Sequence, residues 1–179
     1  MYNVNYYENL LRRYSKTAEE INKIRWDWVK DANAKTVLDY GCGCGWFRAY
    51  SPNGASIDTY DVMDVPQTGI RRINYDLVCF WDVLEHIQNL DSVEGLIKNT
   101  EWVAATVPIK PDCKDLKTWK HYKPGEHFHY FRDNEFIYWF KTMGFRLMKL
   151  GDPECPPRED IHSFLFKRGQ IETKISRAV

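Results

Sequence analysis

The sequence predicts a single α/β domain in which a mostly parallel sheet is flanked by helices. Two observations set the fold class. Short apolar runs at residues 36–38, 55–60, 75–80 and 102–107 read as buried strands, with helical or turn-forming segments between them. The first of these runs opens directly into a glycine-rich turn, Asp39-Tyr40-Gly41-Cys42-Gly43-Cys44-Gly45. Such turns follow buried strands in α/β folds that hold a ligand at the strand ends. The domain count follows from a third observation, because 179 residues with 44% hydrophobic and 15% aromatic content supply one core.

Composition narrows the class. Lys plus Arg and Asp plus Glu both number 25, so no overall positive field draws the chain to nucleic acid or to a membrane surface. The five cysteines form no CxxC pair and no zinc or disulfide spacing, which predicts reduced thiols and a cytoplasmic setting. No secretory leader and no membrane-length apolar run is present in the sequence.

Taken in order, residues 1–33 are expected to hold two helices, 5–14 and 17–29. Tyr6, Leu10 and Tyr14 share one stripe, and Ile21, Ile24 and Trp28 the next. Asn5 with Glu8, and Thr17 with Glu20, have the spacing of capping boxes.

The turn after residues 36–38 separates two kinds of nucleotide site. Dinucleotide loops read G-x-G-x-x-G and place a pyrophosphate at the following helix. This loop reads G-x-G-x-G, and Asp39, two positions before Gly41, would repel a pyrophosphate but suits a cationic ligand group. The stretch resembles motif I of the class I S-adenosylmethionine-dependent methyltransferases, an acidic residue, any residue, then Gly-x-Gly-x-Gly. The resemblance implies a Rossmann-like sheet whose last strand is antiparallel. It also implies S-adenosyl-L-methionine as cofactor, S-adenosyl-L-homocysteine as product, and cofactor contacts at Asp39, Gly41, Cys42, Gly43 and Gly45. Cys42 and Cys44 are then packing residues in the loop. The N-terminal helices either close over the cofactor, as they often do in that family, or pack on the sheet edge.

A helix beginning at Trp46 is stopped by Ser51-Pro52-Asn53-Gly54. The strand at 55–60 closes on Asp61, sixteen residues beyond Gly45. In the resembled family an acidic residue there accepts hydrogen bonds from both ribose hydroxyls; Asp61 is the first choice, with Asp58 and Asp64 as neighbours. Only fourteen residues then separate Asp61 from Tyr75, too few for the helix and third strand the family inserts. The chain is therefore abridged after strand 2. Residues 65–69 read as loop and 70–73 as at best a vestigial strand. The adenine contact stays unassigned.

Residues 75–80 form the next strand and run into Trp81-Asp82-Val83-Leu84-Glu85-His86-Ile87. This block is similar to the "FDLV…DVLEH" segment of small-molecule methyltransferases, which places Asp82 and Val83 at the cofactor. The Pro-Pro-aromatic and Pro-Cys motifs that DNA methyltransferases carry here are missing, so nucleic acid is disfavoured as a partner.

Residues 90–99 should form a helix capped by Asp91 or Ser92, and 102–107 a strand ending at Pro108. Residues 109–131 form a long irregular segment rich in lysine, aromatics and histidine, the profile of a substrate loop. Its Trp119, Tyr122, Phe128 and Tyr130 are candidates for excluding water. A helix at 133–143 ends at Gly144, strands follow at 145–150 and 162–167, and 168–179 is expected to be a fraying tail.

A methyl acceptor with a hydroxyl or ammonium must lose a proton, and histidine suits that task. His86 at the end of the fourth family strand is the first candidate, followed by His129 and His127, which share one face if their segment is extended. No metal is expected from His127, His129 and Glu126. Three functions compete: methylation of oxygen or nitrogen on a small molecule; methylation of a protein, nucleic acid or glycan; and cofactor binding without catalysis, which the abridgement favours. Oligomeric state is not encoded in any motif.

Overall fold

A computed structural model describes residues 8–9, 11–12, 15–52, 54–63, 65–112, 115–156 and 158–169. The expected helix at 5–14, with its cap Asn5, lies largely outside the described residues, as do Asp64 and residues 170–179. Four parallel strands form one side of a six-stranded sheet: β1 (Thr36–Tyr40), β2 (Ser56–Tyr60), β3 (Leu77–Trp81) and β4 (Trp102–Pro108). The hairpin of β5 (Phe145–Gly151) and β6 (Ile161–Arg168) completes it in the order β2-β1-β3-β4-β6-β5. Strand β6 lies antiparallel between β4 and β5. The fold class is the one expected, including the antiparallel last strand.

Alternation along the central strands builds two apolar layers. Leu38, Val78, Phe80, Val103 and Ala105 face α3 (Asp91–Ile97) and α4 (Asp133–Thr142), which contribute Val93, Ile97, Phe136 and Phe140. Val37, Leu77, Cys79, Trp81 and Ala104 face the other way, toward Val29 of α1 (Ala18–Val29) and Phe47 of α2 (Trp46–Ala49). Helix α1 is fastened to α2 by Trp26, whose ring stacks on Phe47 at 4.2 Å and whose indole N–H donates to the Phe47 carbonyl at 2.8 Å. Among the described residues no helix is long and apolar enough to cross a membrane.

Local departures have local causes. Thr17 makes no side-chain cap to α1, because its backbone already sits in the helical region where a cap cannot reach back. The N-cap of α3 is Leu90, not Asp91 or Ser92, and it makes no side-chain cap; just before it the Asn89 side chain accepts from the Asp91 amide at 3.0 Å. Strand β3 starts at Leu77, because Asp76 turns its carboxylate to the amides of Lys35 and Thr36, both at 2.9 Å. Arg168 belongs to β6 and not to a tail; its guanidinium donates to the carbonyls of Ile97, Thr100 and Met143.

The abridgement is real, and residues 70–73 form no strand, leaving β2 at the sheet edge. An uncovered edge invites pairing with other chains. Here the loop satisfies it with side chains. The Thr59 amide donates to the Thr68 hydroxyl at 2.8 Å and the Thr68 amide to the Thr59 hydroxyl at 2.9 Å, the Gly69 amide donates to the Thr59 carbonyl at 3.0 Å, and the Gln67 amide group pairs with both backbone groups of Asp61. Below this, Arg71, Arg72 and Tyr75 all converge on the buried Asp58.

Candidate cofactor and acceptor site

The loop after β1 turns through positive φ at Gly41, Gly43 and Gly45. At Gly41 (φ +80) an added Cβ would stand 2.3 Å from Val83 Cγ2, so glycine is demanded where this loop meets the turn after β3. Around Gly43 and Gly45, by contrast, a Cβ would meet nothing within 4 Å, and the loop there faces open space.

Asp39 ends the buried run and is 1% exposed, yet its Oδ2 has no hydrogen-bond partner. Burial pushes its carboxyl up to about 7; Arg25 pulls in the other direction and Asp61 adds to the rise. Asp61 is held from both sides, with Oδ2 accepting from the Gly43 amide and Oδ1 from the Met63 amide, each at 2.8 Å. Every carboxylate oxygen has a second lone pair, so this clamp orients Asp61 and leaves it able to accept two more bonds. Burial pushes the Cys42 thiol up to about 12 and the Cys44 thiol to about 11, which removes both as nucleophiles at neutral pH.

Asp82 adopts φ +60 just past β3 and receives two guanidiniums, Arg25 at 3.1 Å and Arg158 at 2.7 Å. Burial opposes its ionisation, but Arg158 and Arg25 outweigh it and hold the carboxyl at about 2. Both arginines also bind Glu154, Arg25 Nε at 2.7 Å, and the network joins α1 to the β5–β6 connection across the end of β3.

Glu85 and His86 follow in a one-turn 3-10 helix, Leu84–His86. The Glu85 carbonyl accepts from the amides of both Phe128 and His129, at 2.8 and 3.3 Å, which docks the 109–131 segment on this turn. That docking sets the fate of the histidines. His127 turns inward, 5% exposed, its ring edge-on to His86 with centroids 4.6 Å apart. His129 turns away; its Nε2 bonds the Ile87 carbonyl at 2.9 Å and its ring stacks on Phe131. The shared face expected of His127 and His129 does not form, because two successive amides bent onto one carbonyl cannot belong to an extended strand. Burial lowers the His86 imidazole from its ordinary value and brings His127 to about 4, so both are neutral at pH 7.

One cavity of about 350 Å³ unites these groups. Asp39, Gly41, Cys42, Gly43, Asp61, Asp82, Val83, His86 and His127 line it; Gly45 and His129 do not. Gly45 shapes the turn instead, donating to the Cys42 carbonyl at 2.8 Å. The loop aromatics are not its walls either: Tyr122 stacks on Tyr130, Trp119 packs edge-on against Tyr130, and Phe128 is 47% exposed. From the same segment, His121, Lys123, Glu126 and His127 do line the cavity. Helix α1 supplies a wall through Ala18, Ile21, Asn22 and Arg25. Sequence reasoning missed Arg25, Glu154 and Arg158, which meet only in three dimensions. It also passed over Glu85, whose signal was its place beside His86.

A family model described as a methyltransferase domain matches residues 8–150. The chain belongs to this methyltransferase family. No curated protein matches it. Among solved structures, a methyltransferase from Clostridium acetobutylicum superposes with a TM-score of 0.64 at 10% identity, over 91% of this chain and 99% of that one. Magnesium protoporphyrin IX methyltransferase from Synechocystis, with S-adenosylhomocysteine bound, gives 0.59 at 14% identity, over 94% and 89%. The methyltransferase domain of bacterial CtHen1 gives 0.59 at 17% identity, over 83% and 98%. At these identities the likeness is one of fold.

With the family comes the methyl donor, S-adenosylmethionine. The residues fit it. The orphaned Oδ2 of the buried Asp39 lacks the cation that an amino-acid tail carries, and the open space over Gly43 lies beside the clamped Asp61. Asp61→Ala is expected to weaken S-adenosylhomocysteine binding by about 1.5–3 kcal/mol, the range for hydrogen bonds to a charged group. Isothermal titration measures it, and unchanged affinity would remove Asp61 from cofactor binding.

Proposed function

We propose that this methyltransferase methylates an oxygen or nitrogen of a small polar or anionic molecule. The reading is carried by the continuity of the cavity, which runs from Asp39 and Asp61 to His86 and His127, with Lys123 and Arg158 on the same lining. When bound, S-adenosylmethionine supplies an electrophilic methyl group on a sulfonium that leaves as a neutral thioether. The protein's own part is placement and exclusion of water. Asp39 would hold the ammonium of the cofactor tail, Asp61 the ribose hydroxyls, and Gly43 the close backbone approach. The Asp82 to Arg25 and Arg158 pairs would fix the backbone of Asp82 and Val83 along the pocket wall. Neutral imidazoles at His86 and His127 can accept a hydrogen bond from the methyl acceptor and orient its lone pair.

The balanced charge of the chain, 25 basic against 25 acidic residues, supports a small acceptor over a nucleic acid. The clamped Asp61 and the self-satisfied β2 edge support a working cofactor site despite the abridgement, and so favour an enzyme over a binding module. A screen of pooled metabolites with methyl-labelled cofactor supplies the acceptor. His86→Ala is then expected to keep S-adenosylhomocysteine affinity and to lose at least about 100-fold in turnover, the scale of a lost acid-base or orienting group. His129→Ala should retain turnover. Full activity in His86→Ala would remove the imidazole from the reaction, and loss of cofactor affinity would assign it to the cofactor instead.

A further inference from the structure

We propose that Glu85, His86 and His127 form a binding site for a divalent transition-metal ion. One ligand atom from each lies within 4.8 Å of the others. A second, independent observation points to a ligand. Glu85 is 2% exposed and its Oε2 has no partner, and His127 is 5% exposed and its Nδ1 has none. Each orphaned buried atom carries a desolvation cost of about 1–3 kcal/mol, and a single cation between them would satisfy both.

The surroundings organise the cluster as a metal site requires. His86 Nδ1 donates to the Glu126 carbonyl at 3.1 Å, which fixes the ring and directs Nε2 toward Glu85, whose Oε1 is 3.8 Å away. The perpendicular His127 ring packs against His86 without competing for its volume. The two amides bound to the Glu85 carbonyl tie the segment carrying His127 to the turn carrying the other two ligands. Ligand atoms about 2.1 Å from a tetrahedral ion stand about 3.4 Å apart, so side-chain rotations of about an ångström close the site.

Asp82 does not join it, since Arg25 and Arg158 already occupy its two oxygens. Three protein ligands therefore leave coordination positions open toward the cavity, the pattern of a catalytic site. Two imidazoles and one carboxylate suit zinc, cobalt, manganese or ferrous iron better than calcium or magnesium. The role of the ion rests on the methyl-transfer reading and replaces the direct hydrogen bond from the acceptor: with the ion bound, His86 and His127 would serve as its ligands, and the ion would bind an acceptor hydroxyl and lower its pKa, which makes the acceptor atom oxygen and sends its proton to solvent.

The test uses the full chain, stripped with chelator and dialysed, then titrated with cobalt(II) and zinc(II). One saturable equivalent is expected, with visible cobalt absorption bands of low-coordinate geometry. Glu85→Gln and His127→Ala should each weaken binding at least about 10–100-fold while still unfolding cooperatively. His86→Gln covers the case in which either variant fails to fold. Absence of saturable uptake, or equal affinity in the folded variants, would overturn the site. S-adenosylhomocysteine titration of the same samples separates the two readings: lost ion binding with intact cofactor binding overturns the ion alone, and the reverse overturns methyl transfer alone.

Discussion

Asp39→Asn is expected to raise the melting temperature of the ligand-free protein at pH 8 by roughly 5–10 °C, while weakening S-adenosylhomocysteine binding about 10–100-fold. The two effects share one cause. Asp39 is buried with an unpartnered oxygen, and its carboxyl sits at about 7 against an ordinary 3.8. Each unit is about 1.4 kcal/mol, so the rise puts the cost of holding the charge in the folded state at roughly 4 kcal/mol, of which an asparagine with its own unpaired buried amide recovers about half. The folded protein binds the proton more tightly than the unfolded chain, so stability from this group is greatest below pH 3.8 and falls as pH rises toward 7. The penalty is complete above 7, and the asparagine relieves it there and not in acid. A cofactor ammonium would offset the same penalty in the wild-type protein, so affinity should climb with pH up to about 7 and then level off. Differential scanning calorimetry at pH 4 and pH 8, with titration calorimetry across that range, checks both halves. A melting temperature unchanged at pH 8, or an affinity indifferent to the substitution, would refute the assignment.

What the sequence made legible was local. The G-x-G-x-G turn, the acidic residue before it and the strand leading to Asp61 are contiguous, and backbone sterics tie such residues to one geometry. Contacts between distant segments were hidden for the same reason. Arg25 and Glu154 lie 129 positions apart, and no periodicity connects them. His129 was misplaced because two residues apart on an extended strand share a face, whereas here the chain bends around the Glu85 carbonyl. Gly45 belongs to the motif but lies outside the cavity, since a motif specifies the turn as well as the contact. Residues 70–73 alternate too weakly for a strand, and the hydrogen bonds that replace one come from Gln67 and Thr68, residues that composition reads only as loop.

That replacement leads to the second large effect: Asp58→Ala is expected to lower the melting temperature by roughly 5–12 °C. Asp58 is fully buried on the edge strand β2 and accepts from Arg71 Nε at 2.7 Å, Arg72 Nη1 at 2.7 Å and the Tyr75 hydroxyl at 2.8 Å. Removing one partner of a buried ion pair costs about 3–5 kcal/mol when the others stay buried. Arg71 and Arg72 are 54% and 33% exposed and can return to water, which reduces the loss. Tyr75 cannot, being 3% exposed, and its stranded hydroxyl keeps the effect near 2–3 kcal/mol, about the price of one orphaned donor plus the lost ionic bonds. The pH dependence gives the mechanism a separate check. Burial alone would raise the Asp58 carboxyl, but Arg71, Tyr75 and Arg72 overcome it and hold it below 3.8. Its contribution is therefore present above pH 3.8 and disappears as pH falls through the depressed folded value, so wild type and variant should converge in acid. A stability gap that persisted unchanged at low pH would point to lost packing at β2, and a variant as stable as wild type at pH 7 would show that the Gln67 and Thr68 bonds hold the edge without the buried charge.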